Sequence, residues 1–328
     1  MIKILQFFLL LSFTLFAIEK PTLTIYTYDA FAASWGPAPK IKKAFEKEHN
    51  VTLKFVGLSS SIGALRKIQL EGKRTKADIL LGLDTSIAQV AKKTGLFVLS
   101  DFNTSKLDLT APYSDMIFTS YDYSFFAFVY DENKLKQVPH SFEALASMPK
   151  NFKIVIQDPR SSTAGLGLLL WIKSVYGDEA GDYWKRLAPH ILTITKGWSE
   201  AYGLFLKGEA DMVLSYTTSP AYHMVEENRT NIKAAAFIEG HYGQVEVAAV
   251  LKSSKHQTLA KQFLAFMHTQ TFADIIPTTN WAYPVVKSTL PKAFESLYKP
   301  KMMILMSGKK VEAQRKAIIN EWLEAIQK

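Results

Sequence analysis

The chain has 328 residues, a formal net charge of +9 at pH 7 and no cysteine. Hydrophobic residues make up 48% of it and charged residues 21%, which excludes a disordered chain and suits about two packed domains. The Lys and Arg residues are scattered, so no nucleic-acid-binding patch is predicted. Without disulfides the core alone must stabilise the fold. The mildly basic charge slightly favours an anionic group on any ligand over a bare cation.

The first 17 residues differ from the rest of the chain. Lys3 supplies a positive charge, and the segment from Ile4 to Ala17 is almost entirely apolar. This run is shorter than the ~20 residues that a membrane-spanning helix needs, which is typical of a secretory signal peptide cut after Ala17. An uncleaved membrane anchor is the alternative. No later stretch is long and apolar enough to span a bilayer, so the mature chain is expected to be soluble.

Short apolar strands alternate with helical patterns in the part of the chain after this segment. Strands are predicted at 23–26, 53–56 and 79–81, and helical spacing marks 41–45 and 62–68. Asp84, Thr85 and Ser86 are good N-cap residues for a helix that starts near Ile87. The β-α-β-α order predicts a mostly parallel sheet with helices on both faces.

The segment Tyr121–Tyr130 is too long and too aromatic for an ordinary strand of this series, and it predicts a strand that crosses to a second lobe. The alternation then repeats, with strands at 152–156, 191–195 and 212–216 and helices at 166–175 and 201–206. A return crossover is predicted at 244–251, followed by amphipathic helices at 259–266 and 318–326.

These patterns predict an α/β protein with two lobes, each a mostly parallel sheet with flanking helices, joined by crossing strands around a cleft. The predicted division is a signal peptide over 1–17, the first lobe over 18–120 and 244–290, the second lobe over 121–243, and C-terminal helices over 291–328 that are assigned to neither lobe.

Ligands of open parallel sheets bind beyond the carboxyl ends of the strands, so the residues that follow each strand are candidates. Small hydroxyl residues precede two predicted helices there, as Ser60 and Ser61 and as Ser162 and Thr163. A helix N-terminus with added hydroxyl donors can hold an anion or phosphate. Ordinary helix capping is the alternative at each site.

Aromatic residues also follow the predicted strands of both lobes. They are Tyr28, Trp35, Trp198, Tyr216, Tyr222 and Trp281. Flat aromatic faces suit a flat heterocycle and attract a delocalised cation by roughly 0.5–2 kcal/mol per contact. Trp198 is predicted to lie in a loop between Gly197 and Ser199. The set predicts a ligand with a planar, cationic ring at one end and a phosphate or hydroxyl at the other; core or interface packing of the aromatics is the alternative.

The same stretches carry a family resemblance. They are LTIYTYDAFAASWGP (23–37), KADILLGLD (76–84), QDPRSSTAGLGLLLW (157–171), TKGWSEAYGLFLKGEADMVLSYTTSPAYH (195–223) and IPTTNWAYPV (276–285). Over nearly the whole mature chain, the sequence resembles the periplasmic thiamine-binding proteins of bacterial ABC importers. The resemblance implies a type II-like periplasmic-binding-protein fold, export to the periplasm and a monomer. It also implies capture of thiamine or its phosphates, no cofactor, no enzymatic activity, and delivery to an inner-membrane permease with its ATPase.

The resemblance further implies roles for individual residues. Ser162 and Thr163 match a hydroxyl pair that holds the ligand, and the remaining matches are Tyr28, Trp35, Trp198, the segment Tyr216, Thr217, Thr218 and Ser219, then Tyr222 and Trp281. One departure is visible, because close relatives carry an acidic residue and a glycine where this chain has Ser60 and Ser61. A lost carboxylate removes a hydrogen-bond acceptor for the aminopyrimidine.

Two other functions are weighed. A ferric-ion or small-anion carrier of the same architecture is the main alternative, although Tyr216 and Tyr222 are not adjacent and only His223 lies beside them. An enzyme is the other. The segment GLGLLLW (165–171) lacks the full dinucleotide-binding pattern, and the chain has no HExxH or GxSxG motif and no cysteine nucleophile. No metal site is predicted.

Overall fold

The computed structural model describes residues 20–100, 113–301 and 303–327. The predicted signal peptide, residues 1–17, lies outside the described residues. Across the described ranges, none of the helices combines the length and the apolar character that crossing a bilayer requires.

The first lobe contains three parallel strands in the spatial order β2-β1-β3. Its strands and helices, in chain order, are β1 (Thr22–Tyr28), α1 (Asp29–Ala32), α2 (Ala38–Glu48), β2 (Thr52–Leu58), α3 (Ser61–Glu71), β3 (Ile79–Asp84) and α4 (Thr85–Lys93). All six residues of β3 are buried, which is why this strand is a continuous apolar run rather than an alternating pattern.

The second lobe repeats this architecture with three parallel strands in the order β7-β5-β6. The elements from the crossing strand onwards are β4 (Thr119–Asp131), α5 (Phe142–Ala146), β5 (Ile154–Gln157), α6 (Thr163–Tyr176), α7 (Ala180–Leu187), β6 (Ile191–Thr195), α8 (Trp198–Leu206), β7 (Met212–Tyr216), α9 (Ser219–Glu226) and β8 (Ile232–Ala234). The chain then returns through β9 (His241–Val250), α10 (Gln257–Phe266), α11 (Gln270–Ile275), β10 (Tyr283–Pro284), β11 (Met303–Ile304) and α12 (Gly308–Ile326).

Two long antiparallel strands join the lobes. The first half of β4, from Thr119 to Phe125, pairs with β9, and the second half pairs with β7 of the second lobe. Strand β9 in turn pairs with β3 of the first lobe. The α/β class with two parallel sheets and crossing strands is therefore as predicted from the sequence. The lobe boundaries drawn at 121 and 244 fall inside β4 and β9.

The C-terminal helix α12 lies in the segment that the sequence assigned to neither lobe. It packs on α4 of the first lobe and on α6 and α7 of the second. Trp322 is buried, with its ring centroid 6.4 Å from that of Trp184. Glu321 binds the Lys173 ammonium at 3.0 Å. This helix contacts both lobes, which neither its apolar pattern nor its position in the chain could reveal.

Three local predictions need adjustment. Trp198 does not lie in a loop, because it is the first residue of α8, with Gly197 as the N-cap. Helix α4 begins at Thr85 rather than near Ile87, and the Asp84 Oδ1 accepts from the backbone N–H of Ser86 at 2.9 Å. Strand β5 begins at Ile154 rather than at Phe152. Element ends are set by capping and pairing, which apolar periodicity does not encode.

Candidate ligand-binding cleft

A cavity of about 360 Å³ lies between the lobes, where the carboxyl ends of the strands meet. All but two of the residues predicted to bind ligand line it. Those that do are Tyr28, Trp35, Ser60, Ser61, Ser162, Thr163, Trp198, Tyr216, Ser219, Tyr222 and Trp281. Residues that are far apart in the sequence therefore share one space, and their roles toward a ligand stay predictions.

Thr217 and Thr218 are the two that do not line the cavity. Both side chains are fully buried behind the wall. Thr218 is the N-cap residue of α9, and its Oγ1 lies 3.4 Å from the Ser124 Oγ. The chain turns from β7 into α9 at this point, and both side chains are buried in that turn.

We call the six ring-bearing residues from both lobes the aromatic walls. They are Tyr28, Trp35, Trp198, Tyr216, Tyr222 and Trp281.

Trp198 is held in place by two contacts. Its indole Nε1 donates to the Ser215 Oγ at 2.8 Å, and its ring stacks on Tyr202 with centroids 4.7 Å apart. The Ser215 and Ser219 hydroxyls lie 2.7 Å apart and continue the network behind the wall. A stacked and hydrogen-bonded indole presents a fixed face to the cleft.

Tyr222 and Trp281 meet edge to face, with ring centroids 5.5 Å apart and an interplanar angle of 85°. Trp281 has a φ of +53°, in the left-handed region that residues with a Cβ rarely adopt. Such strain persists where the surroundings determine the conformation, and it clusters at functional sites.

The other walls differ in their exposure. Trp35 is 54% exposed and lies at the mouth of the cleft. Tyr216 lies deeper, and its hydroxyl donates to the Gln244 Oε1 at 2.9 Å. The aromatic surface therefore extends from the mouth to the base of the cavity.

The predicted hydroxyl residues are helix caps and also line the cavity. The Ser60 Oγ accepts from the Gly63 N–H at 3.0 Å at the start of α3, and the Ser162 Oγ accepts from Gly165 at 3.4 Å at the start of α6. Gly165 allows α6 to begin this close to β5, because a Cβ there would lie 2.3 Å from the Gln157 carbonyl oxygen. Ser60 and Ser162 therefore cap their helices and also line the cleft.

The two lobes touch along one rim of the cleft. The Ser60 hydroxyl donates to the Ser161 carbonyl at 2.5 Å, and the Ser199 hydroxyl donates to the Asp29 carboxylate at 3.0 Å. Gly197 approaches so closely that a Cβ there would lie 2.3 Å from the Ser59 carbonyl oxygen. Ser60 thus uses its hydroxyl both for a helix cap and for an interlobe hydrogen bond.

Two carboxyl groups that the sequence reasoning missed, Asp122 and Glu246, form the base of the cavity, and we call them the acidic floor. The Glu246 Oε2 accepts from the Tyr121 hydroxyl at 2.8 Å and from the Asn280 Nδ2 at 3.2 Å. The same Asn280 Nδ2 donates to the Asp122 Oδ2 at 2.6 Å. The Tyr28 hydroxyl lies 2.9 Å from the Glu246 carboxylate.

The floor is electrostatically unusual. Burial raises the pKa of Asp122 well above its usual range, and the nearby Glu246 charge raises it further. Burial also raises the pKa of Glu246, while hydrogen bonds from Tyr121 and Tyr28 oppose that rise. Like charges in a low-dielectric site therefore disfavour joint ionisation of this pair.

The pattern that describes bacterial extracellular solute-binding proteins matches residues 31–270. The chain belongs to this family.

Close relatives cover almost all of this solute-binding protein. The thiamine-binding periplasmic protein of Escherichia coli K12 is 51% identical over 324 residues, which is 99% of this chain and 98% of that protein. A solved structure named periplasmic thiamin binding protein superposes with a TM-score of 0.91 at 52% identity, covering 94% of this chain and 96% of that one.

A more distant structure shows the fold alone. The iron-bound protein HitA of Pseudomonas aeruginosa superposes with a TM-score of 0.76 at 22% identity, covering 93% of this chain and 99% of that one. In the solute-binding protein described here, no group of three or more His, Asp or Glu residues within the described ranges is arranged to hold a metal ion. The Tyr216 hydroxyl is engaged with Gln244 rather than turned toward Tyr222 as a second ligand.

The missed floor residues did leave a signal in the sequence of this solute-binding protein. Asp122 interrupts the aromatic run of β4, and Glu246 interrupts the apolar run of β9. A charged residue in a strand that is buried on both faces needs a partner or a function. The net charge of +9 favoured an anionic group on the ligand. The charged residues that line the cavity, among those described, are instead all acidic: Asp29, Asp122 and Glu246.

Proposed function

We propose that this solute-binding protein captures thiamine or a thiamine phosphate in the periplasm. The observation that carries the proposal is that aromatic rings from both lobes face one cavity whose floor is acidic. Thiamine combines a planar thiazolium cation with an aminopyrimidine, and aromatic faces attract such cations. The thiamine-binding names of relatives near 50% identity support the same ligand.

Each part of the cleft suits one part of this ligand. The volume of about 360 Å³ lies in the range of small-molecule sites, which is roughly 300–1,000 Å³. Trp198, Tyr222 and Trp281 offer faces to the heterocycles. Ser162 and Thr163, where α6 begins, offer hydroxyl and backbone N–H donors to the hydroxyethyl or phosphate end.

Closure of the lobes is the proposed binding step. The rim contacts Ser60 to Ser161 and Ser199 to Asp29 form only when the lobes approach. A ligand that touches both walls stabilises this closed form and shifts the population toward it. The closed form then docks on an inner-membrane ABC permease, and the ATPase of that complex drives release into the cell.

The remaining parts of the proposal concern processing and state. The chain is exported with a signal peptide that is removed after Ala17, acts as a monomer, and carries its ligand unchanged without a cofactor. Mass spectrometry of the protein isolated from the periplasm would give the mature N-terminus, and light scattering would give the oligomeric state.

Calorimetry with thiamine, thiamine monophosphate and thiamine diphosphate tests the proposal. We expect at least one of them to bind with a stoichiometry of one per chain and a Kd in or below the micromolar range. No heat with all three would reject the proposal. A visible charge-transfer band on adding Fe(III) would favour a ferric carrier instead, and release of phosphate from the diphosphate would indicate an enzyme.

A further inference from the structure

Three carboxyl groups lie in register across the centre of the sheet. The Cα of Glu246 on β9 is paired with Asp84 on β3 at one side and with Asp122 on β4 at the other. Only Asp122 and Glu246 reach the cavity, since the Asp84 carboxylate caps α4. The pair lies where the two crossing strands join the lobes, at the bottom of the cleft.

The hydrogen bonds give the two floor residues different roles. Glu246 receives donors from several sides, including the Tyr121 hydroxyl and, at its Oε1, the Gln244 amide at 3.1 Å. Asp122 receives the Asn280 amide at Oδ2, and its side chain is also hydrogen-bonded to that of Glu246. Hydrogen bonds from Tyr121 and Tyr28 favour the ionised form of Glu246, whereas burial and the Glu246 charge raise the pKa of Asp122 well above its usual range.

No cation of the protein compensates this charge within the cavity. The groups that face the pair from neighbouring elements are phenols, amides and a third acid, namely Tyr28, Tyr121, Tyr216, Gln244, Asn280 and Asp84. Among the described residues that line the cavity there is no Lys, Arg or His. A buried charge without a counter-charge is costly, so a ligand that supplies a positive charge relieves it.

We propose that the acidic floor of Asp122 and Glu246 determines specificity, by favouring a ring with a fixed positive charge over its uncharged isostere. This inference rests on the proposed function, since it assigns to named residues the choice of ligand charge in that cleft. The aromatic walls select a flat ring, and the floor selects its charge.

The first test uses the unmodified mature protein and two fragments of matched shape. One is 4-methyl-5-(2-hydroxyethyl)thiazole, which is uncharged, and the other is its N-methylthiazolium salt. Ligand-observed NMR, or calorimetric competition, gives both affinities. We expect the salt to bind at least about tenfold more tightly, because charge pairs at buried interfaces couple strongly. Equal affinities would overturn the inference.

The second test compares charge-removing variants. Glu246→Gln keeps the shape but removes the charge, and we expect it to weaken thiamine binding by about 30-fold and to reduce the preference for the salt. Asp122→Asn removes the carboxyl group whose pKa burial and Glu246 raise, and we expect both quantities to change less than they do in Glu246→Gln. Glu48→Gln, on the exposed face of α2, is the control for a lost carboxylate far from the cleft.

The possible outcomes distinguish failure of the proposed function from failure of the inference about ligand charge. If wild-type protein binds none of the three thiamine forms, the proposed function is rejected, and the fragment pair still reports on the charge preference. If wild-type binds thiamine and Glu246→Gln keeps its affinity and its preference for the salt, the inference is rejected and the function stands. A thermal unfolding curve confirms that each variant is folded, and the fragment test on unmodified protein decides the matter if Glu246→Gln is not.

Discussion

The walls of the cleft come from strand ends and the loops after them, whereas the floor comes from strand interiors. The aromatic walls lie at or after the strand ends, where the chain leaves the sheet and side chains can face a ligand. The floor residues Asp122 and Glu246 lie inside β4 and β9, within runs that are otherwise apolar or aromatic. The walls supply contact area and the floor supplies charge.

Wall and floor residues are visible in the sequence to different degrees. A wall residue such as Trp198 is only partly buried, so its presence just after a strand suggests a ligand. A floor residue such as Glu246 is almost wholly buried, like the core residues around it, and needs several hydrogen-bond donors to offset the cost of burial.

The largest expected effect concerns Asp84, the acid beside the floor. Burial raises its pKa to about 7 from the ordinary 3.8. A raised folded-state pKa stabilises the protein at low pH, and this stabilisation is lost as the pH rises through about 7. Asp84→Asn retains the cap and does not titrate. Wild type should therefore lose about 2–3 kcal/mol relative to Asp84→Asn between pH 5 and pH 8.

Urea unfolding of both proteins at the two pH values measures this difference. Taking the difference between proteins cancels the opposing contribution of buried histidines such as His241, whose pKa burial lowers to about 4. Parallel pH profiles for wild type and Asp84→Asn would contradict an uncompensated acid beside the floor.

Replacing a wall residue should change the affinity for the ligand rather than the pH dependence of stability. Trp198→Ala removes the ring that faces the cleft and should weaken thiamine binding by about 1–3 kcal/mol, if stacking acts as it does for nucleic-acid bases. Trp198→Phe keeps a face to stack on Tyr202 but loses the bond to Ser215, and should lose less. Calorimetry decides; wild-type affinity in Trp198→Ala would remove this residue from the site.

Ser60 contributes both a helix cap and an interlobe hydrogen bond, and the two contributions can be measured separately. Ser60→Ala removes the acceptor for Gly63 and the donor to Ser161, and should cost about 1 kcal/mol of unfolding free energy. Ser60→Gly removes the same hydroxyl, but glycine is a good N-cap residue, so it should lose only a few tenths of a kcal/mol of unfolding free energy. We expect both variants to release thiamine a few-fold to about tenfold faster, since one hydrogen bond of closure is lost.

Stopped-flow tryptophan fluorescence measures the release, and urea unfolding measures the cap. Release from Ser60→Gly at the wild-type rate would show that the interlobe bond contributes nothing to closure.

The smallest expected effect concerns the backbone of Trp281. A φ of +53° costs a residue with a Cβ about 1 kcal/mol, and glycine avoids this cost. Trp281→Gly should therefore unfold with about 1 kcal/mol more free energy than Trp281→Ala, although both lose the ring. Equal stabilities would show that the backbone there relaxes once the indole is gone.

Most of the architecture follows from the sequence because it depends on local patterns. The apolar runs of β1 to β3 and the caps at Asp84 and Ser162 are visible residue by residue. The position of α12 against both lobes depends on tertiary packing that no window of sequence contains. Thr217 and Thr218 are buried at the turn after β7 and do not line the cavity, which the sequence could not reveal, and their role toward a ligand stays a prediction. Asp122 and Glu246 were not predicted because they lie inside strands rather than after strand ends.

The most direct test of the account is a crystal structure of the protein with thiamine monophosphate. We predict the thiazolium ring within about 6 Å of the ring centroids of wall residues, with Glu246 as the nearest carboxylate and the phosphate toward Ser162. Electron density for the ligand outside this cavity, or a thiazolium ring far from both Trp198 and Glu246, would contradict it.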